Sequence, residues 1–277
     1  MQDRHWTLDD IPWHKFDAAQ VDPDLLKVAK AAALVEFNGD DYATYLCNVF
    51  RDDPLFSDAA KTWAHEEVQH GLVLARWAKL ADPTFDFERA VERFRSGYNF
   101  PLDLNESIRG SRCGELVARC IVEVGTSSYY GSLFDAAKEP VLKEICRRIA
   151  ADELRHYKLF YTHLKRYLDK DKVGRTRRLM VALGRMGETE GDELAYAYYA
   201  ANAPDGETYD RKRYSRAYMV RAYGYYQEER IERAVAMIRK AAGLDPRSPW
   251  TMRLAHVAHR VMRYRRDRLV ASGATAA

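Results

Sequence analysis

Apolar residues recur every three or four positions through residues 25–50, LLKVAKAAALVEFNGDDYATYLCNVF, and again through residues 55–80, LFSDAAKTWAHEEVQHGLVLARWAKL. That period predicts two long helices, the first opened by Asp22-Pro23-Asp24 and separated from the second by Asp53-Pro54. The connection is short, so the two should lie antiparallel. After Asp82-Pro83 the pattern weakens to one short charged helix, FERAVERFR, followed by Gly97, Pro101 and Gly110, which reads as a long crossover over residues 83–111. The helical period returns in residues 114–138, GELVARCIVEVGTSSYYGSLFDAAK, and after Pro140 in residues 141–168. Two helical hairpins joined by one long crossover predict the ferritin-like four-helix bundle. No alternating β-branched run occurs, so the fold class is all-α, with additional C-terminal helices broken at Pro204-Asp205-Gly206 and Gly243-Leu244-Asp245-Pro246.

This pattern divides the chain into an arm packed on the bundle (1–23), the bundle (24–172) and a helical extension (173–277). With 277 residues, 47% hydrophobic and 31% charged, the chain can bury a full core. No run reaches the roughly 18 apolar residues of a membrane span, and the opening MQDRHWTLDD lacks the basic-then-apolar order of a signal peptide, so a cytoplasmic location is expected. Cys47, Cys113, Cys120 and Cys146 form no CxxC pair and read as small buried hydrophobes.

The candidate chemistry is carried by Glu67-Val68-Gln69-His70 and Glu153-Leu154-Arg155-His156, in which residues three apart share a helix face. Glu36 lies 31 residues before Glu67, and Glu123 lies 30 before Glu153, each in an apolar run. The first hairpin thus repeats as the second with an offset of 86 or 87 residues, so each of four helices offers an inward carboxylate. A Glu from each of two helices and a Glu-x-x-His from each of the other two is the rule for di-iron and di-manganese bundles. Four buried carboxylates would repel and cost several kcal/mol each unless cations neutralise them. Two divalent ions balance the set; its oxygen-rich ligation suits two Fe ions or manganese, and zinc is allowed by affinity alone. Glu66 and Asp152, each preceding a ligand Glu, are placed to orient the histidines.

At these residues the sequence resembles the soluble acyl-carrier-protein desaturases, a branch of the ferritin-like di-iron family. The resemblance lies in Trp-x-x-Glu-Glu-x-x-His-Gly at Trp63 to Gly71 and Ala-Ala-Asp-Glu-x-Arg-His at Ala150 to His156, and covers roughly residues 24–170. It implies Thr126, in Glu123-Val124-Gly125-Thr126, on the O2 side of the metals, and an electron path through His70, Asp152 and Trp6 or Trp13. It further implies an O2-dependent oxidoreductase that activates a C–H bond of a carrier-bound fatty-acyl substrate, with two external electrons per turnover and a homodimeric state. The ligand set itself does not choose between desaturation, hydroxylation, N-oxygenation and aldehyde deformylation. A ferritin-like protein that oxidises iron without an organic substrate shares the same ligands. Cys120, Tyr129, Tyr130 and Phe160, one or two turns from the ligands, are the candidate substrate pocket.

Charge separates the tail from the rest. Residues 211–268 hold sixteen Lys/Arg and five Asp/Glu, which leaves the remainder of the chain net negative. Arg211, Lys212, Arg213, Arg216, Arg221, Arg263, Arg265 and Arg266 form a candidate docking face for an acidic carrier protein or an electron donor such as ferredoxin. No nucleic-acid motif accompanies the charge, so nucleic acid is not expected as a partner.

Overall fold

The computed structural model describes residues 5–98, 102–188 and 192–273, and within them every regular element is helical. The helices are α1 (Pro23–Phe37), α2 (Gly39–Val49), α3 (Pro54–Ala81), α4 (Phe87–Gly97), α5 (Arg112–Ala136), α6 (Pro140–Asp171), α7 (Arg175–Glu188), α8 (Asp192–Asn202), α9 (Arg211–Tyr225), α10 (Glu228–Ala241) and α11 (Trp250–Ala271). Starts follow the sequence signals. Asp22 and Asp53 accept backbone N–H bonds ahead of a proline in the first turn, and Glu139 does so ahead of Pro140. Ser111 caps α5 through a bond from the Gly114 amide.

The bundle is α1, α3, α5 and α6, with α4 in the crossover. α8 covers α1, α7 and α10 cover α5, and α11 lies across α9 and α10. The first predicted helix is not continuous: it breaks at Asn38, between α1 and α2. The break lies where the chain passes close to α3. A Cβ on Gly39 would stand 2.7 Å from Cβ of Glu67, and one on Gly71 would stand 2.6 Å from the backbone nitrogen of Phe37. Gly39 lets the start of α2, and Gly71 the end of α1, lie against α3 at the level of Glu36 and Glu67.

Buried apolar side chains form two clusters; α3, α5 and α6 each change cluster where their candidate ligands lie, and the change from α1 to α2 falls just after Glu36. On α3, Phe56 and Trp63 belong to one cluster and Val73 and Trp77 to the other, with Glu67 and His70 between. On α6, Ile145 and Ile149 precede Glu153 and His156, and Phe160 and Leu164 follow. A buried polar layer therefore crosses the middle of the bundle, between two apolar clusters whose large side chains each contribute about 1.5–3 kcal/mol.

The arm has short 3-10 turns at Leu8–Asp10, Trp13–Lys15 and Ala18–Gln20. It is held by buried Ile11, by Trp13 beneath the guanidinium of Arg76 at 4.3 Å, and by Trp6 against α6.

Candidate metal centre

The buried layer gathers all six residues of the repeated motif. Glu36 ends α1, Glu67 and His70 lie mid-α3, Glu123 mid-α5, and Glu153 and His156 mid-α6, with exposures from 0% to 6%. Their ligand atoms form two groups, each within 4.8 Å: Glu36, Glu67, His70 and Glu153 in one, and Glu67, Glu123, Glu153 and His156 in the other. Glu67 and Glu153 belong to both. The Nδ1 atom of His70 is 3.3 Å from Glu153 Oε1 and 3.7 Å from Glu67 Oε2, while Nδ1 of His156 is 2.9 Å from Glu67 Oε1 and 3.5 Å from Glu123 Oε2.

These atoms converge without bonding one another. Both Nδ1 atoms, both oxygens of Glu123, Oε1 of Glu67 and Oε1 of Glu153 are buried without a hydrogen-bond partner. Orphaned buried acceptors are costly, and so many at one point fit a pair of cations. The donor set, four carboxylates and two imidazoles, has the hardness iron or manganese requires.

The far side of each imidazole is fixed by the opposite hairpin. His156 Nε2 lies 2.7 Å from Glu66 of α3, and His70 Nε2 lies 3.1 Å from Asp152 of α6. Each histidine thus turns Nδ1 inward, as a ligand oriented by an outer carboxylate must. Arg155 donates to Asp152 at 2.5 Å and to Glu66 at 3.2 Å and ties the two together. His5, Glu66 and Asp152 also approach within 4.8 Å, but the Arg155 guanidinium supplies the positive charge there.

The electrostatics of the protein groups agree. Burial, then the neighbouring Glu67, pushes the Glu36 carboxyl well above its usual range, and burial does the same to Glu123. Burial disfavours the His70 imidazolium, but Asp152 and Glu153 outweigh it and raise its pKa. Asp152 is held at about 2: burial opposes this, and His70 and Arg155 prevail. Cations bound among these groups would favour their deprotonated forms, so metal binding there is coupled to proton release.

A cavity of about 670 Å³ opens on the cluster and runs to the surface, lined by Glu36, Glu67, Glu123, Glu153 and Thr126 at its inner end. The Thr126 hydroxyl bonds Glu153 as well as the carbonyls of Val122 and Glu123, so its side chain points into the site while bonded back to its helix. Tyr129 and Tyr130 line the wall, and Tyr130 donates to Glu36 at 2.5 Å. Cys120 and Phe160 do not reach the cavity; both are fully buried in the apolar cluster around Trp63 and Leu116.

Of the expected docking face, Arg211 lies at the cavity wall beside exposed Lys212, Arg213 and Arg216. Arg263 and Arg265 are exposed on α11, and Arg266 is half-buried against Gly224 of α9. Arg221 is a correction to that face: it is 7% exposed, bonds Asp24 at 2.7 Å and clamps α9 to the start of α1.

Sequence reasoning missed the Tyr130–Glu36 bond and the polar cavity wall formed by Arg119 and Arg185. It also missed the break at Asn38-Gly39, although an Asn-Gly pair inside a helical period is a breaker signal. Among the described residues no helix is long and apolar enough to cross a membrane. A search of curated proteins finds no match to the chain. A family model described as fatty acid desaturase matches residues 50–221, more than half of the chain, and takes in both Glu-x-x-His pairs, Glu123 and Thr126. With its all-helical bundle and buried Glu/His cluster, the chain belongs to the fatty acid desaturase family, the acyl-carrier-protein branch of the ferritin-like di-iron proteins.

Proposed function

We propose that the protein is an O2-dependent di-iron oxidoreductase that activates a C–H bond of an aliphatic, fatty-acyl substrate. The observation that carries this reading is the set of orphaned carboxylate and imidazole atoms at the inner end of an open cavity. Two iron ions held there would supply O2 activation and the two-electron oxidation of the C–H bond. Desaturation removes two hydrogens from the substrate and, with two external electrons and two protons, returns both oxygen atoms as water.

The protein's own groups divide the remaining work. Glu67 and Glu153 are the carboxylates common to both ligand groups, with Glu36 and His70 completing one and Glu123 and His156 the other. Asp152 and Glu66 hold the imidazoles from behind, and Tyr130 fixes one oxygen of Glu36. Thr126 places a hydroxyl between the cluster and the cavity, where it can hold a proton. The apolar clusters above and below close the site along the bundle, which leaves the cavity as its approach. Trp6 is half-buried at the outer edge, donates to Asp152 at 2.7 Å and stacks on His70 at 6.0 Å, which supports it as the outer end of the electron path.

The open cavity supports an organic substrate over iron as the sole cargo. Exposed cations at the start of α9, beside the cavity wall, support docking of an acidic protein there, such as the electron donor. The test is O2 consumption by the reduced, iron-loaded protein with and without acyl substrates, with product identification. Uptake coupled to substrate oxidation is expected; uptake coupled only to added Fe(II) would select the iron-oxidising alternative.

A further inference from the structure

Away from the metal cluster the cavity wall sets guanidinium groups among apolar and aromatic side chains. Arg119 lies on α5 four residues before Glu123 and is 8% exposed. Its guanidinium lies over the rings of Tyr42 and Trp63, 5.6 and 5.9 Å from their centroids. Among the described residues no carboxylate pairs with it, and its Nε is buried without a hydrogen-bond partner. Arg185 reaches the same cavity from α7, with a side chain 14% exposed and a second orphaned Nε. Its ion-pair partner Glu188, at 3.7 Å, is already held by two bonds of 2.5 Å from Arg109, and Glu193 acts on it through its charge without an ion-pair contact.

The other acids on this wall are also engaged. Glu115 accepts from Tyr45 at 2.8 Å and Ser107 at 2.7 Å, and Glu193 accepts from Tyr42. Burial, and next to it Arg119, depresses the Arg185 pKa, so the two guanidinium groups feel one another. An unpaired guanidinium and an incompletely compensated one facing the same cavity favour an anion between them. The planar fork of guanidinium donors matches a carboxylate or phosphate bidentately.

We propose that the cavity selects a substrate bearing an oxyanionic group, held by Arg119 and Arg185 between the metal cluster and the mouth. Arg119 lies one helical turn from Glu123, about 6 Å along the axis. That depth favours a free carboxylate, with oxidation a few carbons from it, over the more distant phosphate of a carrier's prosthetic arm. The proposal rests on the reading of this cavity as the substrate chamber of an oxidising metal centre.

The test is calorimetric titration of the anaerobic, iron-loaded protein with decanoate, decyl phosphate and decanol. At least ten-fold tighter binding of decanoate than of decanol is expected, and Arg119→Met should abolish the difference while iron content stays unchanged. Arg185→Met should do the same from a different helix, which keeps the test readable if Arg119→Met fails to fold. Equal affinity for decanoate and decanol, or a preference that survives both substitutions, overturns the proposal; tighter binding of decyl phosphate than decanoate overturns the carboxylate assignment. A protein that takes up no iron yet keeps the anion preference would contradict the oxidase reading alone, so the two failures are distinguishable.

Discussion

Asp152 on α6 and His70 on α3 meet across the bundle, with Oδ2 of the one 3.1 Å from Nε2 of the other. Glu66 and His156 make the reciprocal contact at 2.7 Å, so the acid just before each Glu-x-x-His motif orients the other motif's imidazole. Asp152→Asn should therefore lower metal affinity about 10–100-fold without unfolding the protein, and Glu66→Gln should do likewise. Titration of the metal-free variants with Fe(II) checks this. Full affinity in both would show that the crossed contacts do not orient ligands.

Trp6 shares the same Asp152 oxygen, at 2.7 Å. Trp6→Phe keeps a ring against His70 but removes the donor, a loss of about 1 kcal/mol in stability. Iron content should be unchanged, while reduction of the oxidised centre by an external electron donor should slow. Stopped-flow reduction of the two proteins under anaerobic conditions makes the comparison.

The helices that carry the site were legible because buried helices write a 3.6-residue period, and the ligands because the second hairpin repeats the polar exceptions of the first at an offset of 86 or 87 residues. The carboxylates of Glu66 and Asp152 were legible as outer partners, but their crossing between hairpins depends on how α3 and α6 face each other. Long-range pairs of this kind leave no local mark. The Tyr130–Glu36 bond spans 94 residues, and Arg221–Asp24 spans 197, so neither has a spacing that could be read from the chain. Arg221 also shows why charge composition misleads: its sequence neighbours Arg211, Lys212, Arg213 and Arg216 are exposed, while it faces inward.

Gly71 has no room for a side chain. A Cβ there would stand 2.6–2.8 Å from the backbone nitrogen, Cα and Cβ of Phe37, none of which can rotate away. Gly71→Ala should force α1 from α3 and cost about 1–3 kcal/mol. Because Glu36 precedes Phe37, iron binding should weaken as well. Thermal melts and iron titration together test whether packing and ligand placement are coupled here.

Lys30 and Asp82 join α1 to the end of α3 at 2.6 Å, and the contact gives a defined pH dependence. Burial raises the Asp82 pKa, but Lys30 and Thr84 outweigh it and bring the carboxyl from 3.8 to about 2. A depressed folded-state pKa stabilises above the unfolded value and is lost as pH falls through the folded one. The stability gap between wild type and Asp82→Asn should therefore be full above about pH 4 and close towards pH 2. Urea midpoints measured across that range would contradict the assignment if the gap were constant.

The central claim is that Glu36, Glu67, His70, Glu123, Glu153 and His156 hold two metal ions. Elemental analysis of protein purified from iron-supplemented cells, beside the Glu153→Ala variant, tests it most directly. The account predicts about two irons per chain in the wild type, as the six-ligand set requires, and loss of at least one in Glu153→Ala. A wild-type protein without metal, or a variant that keeps both irons, would contradict it.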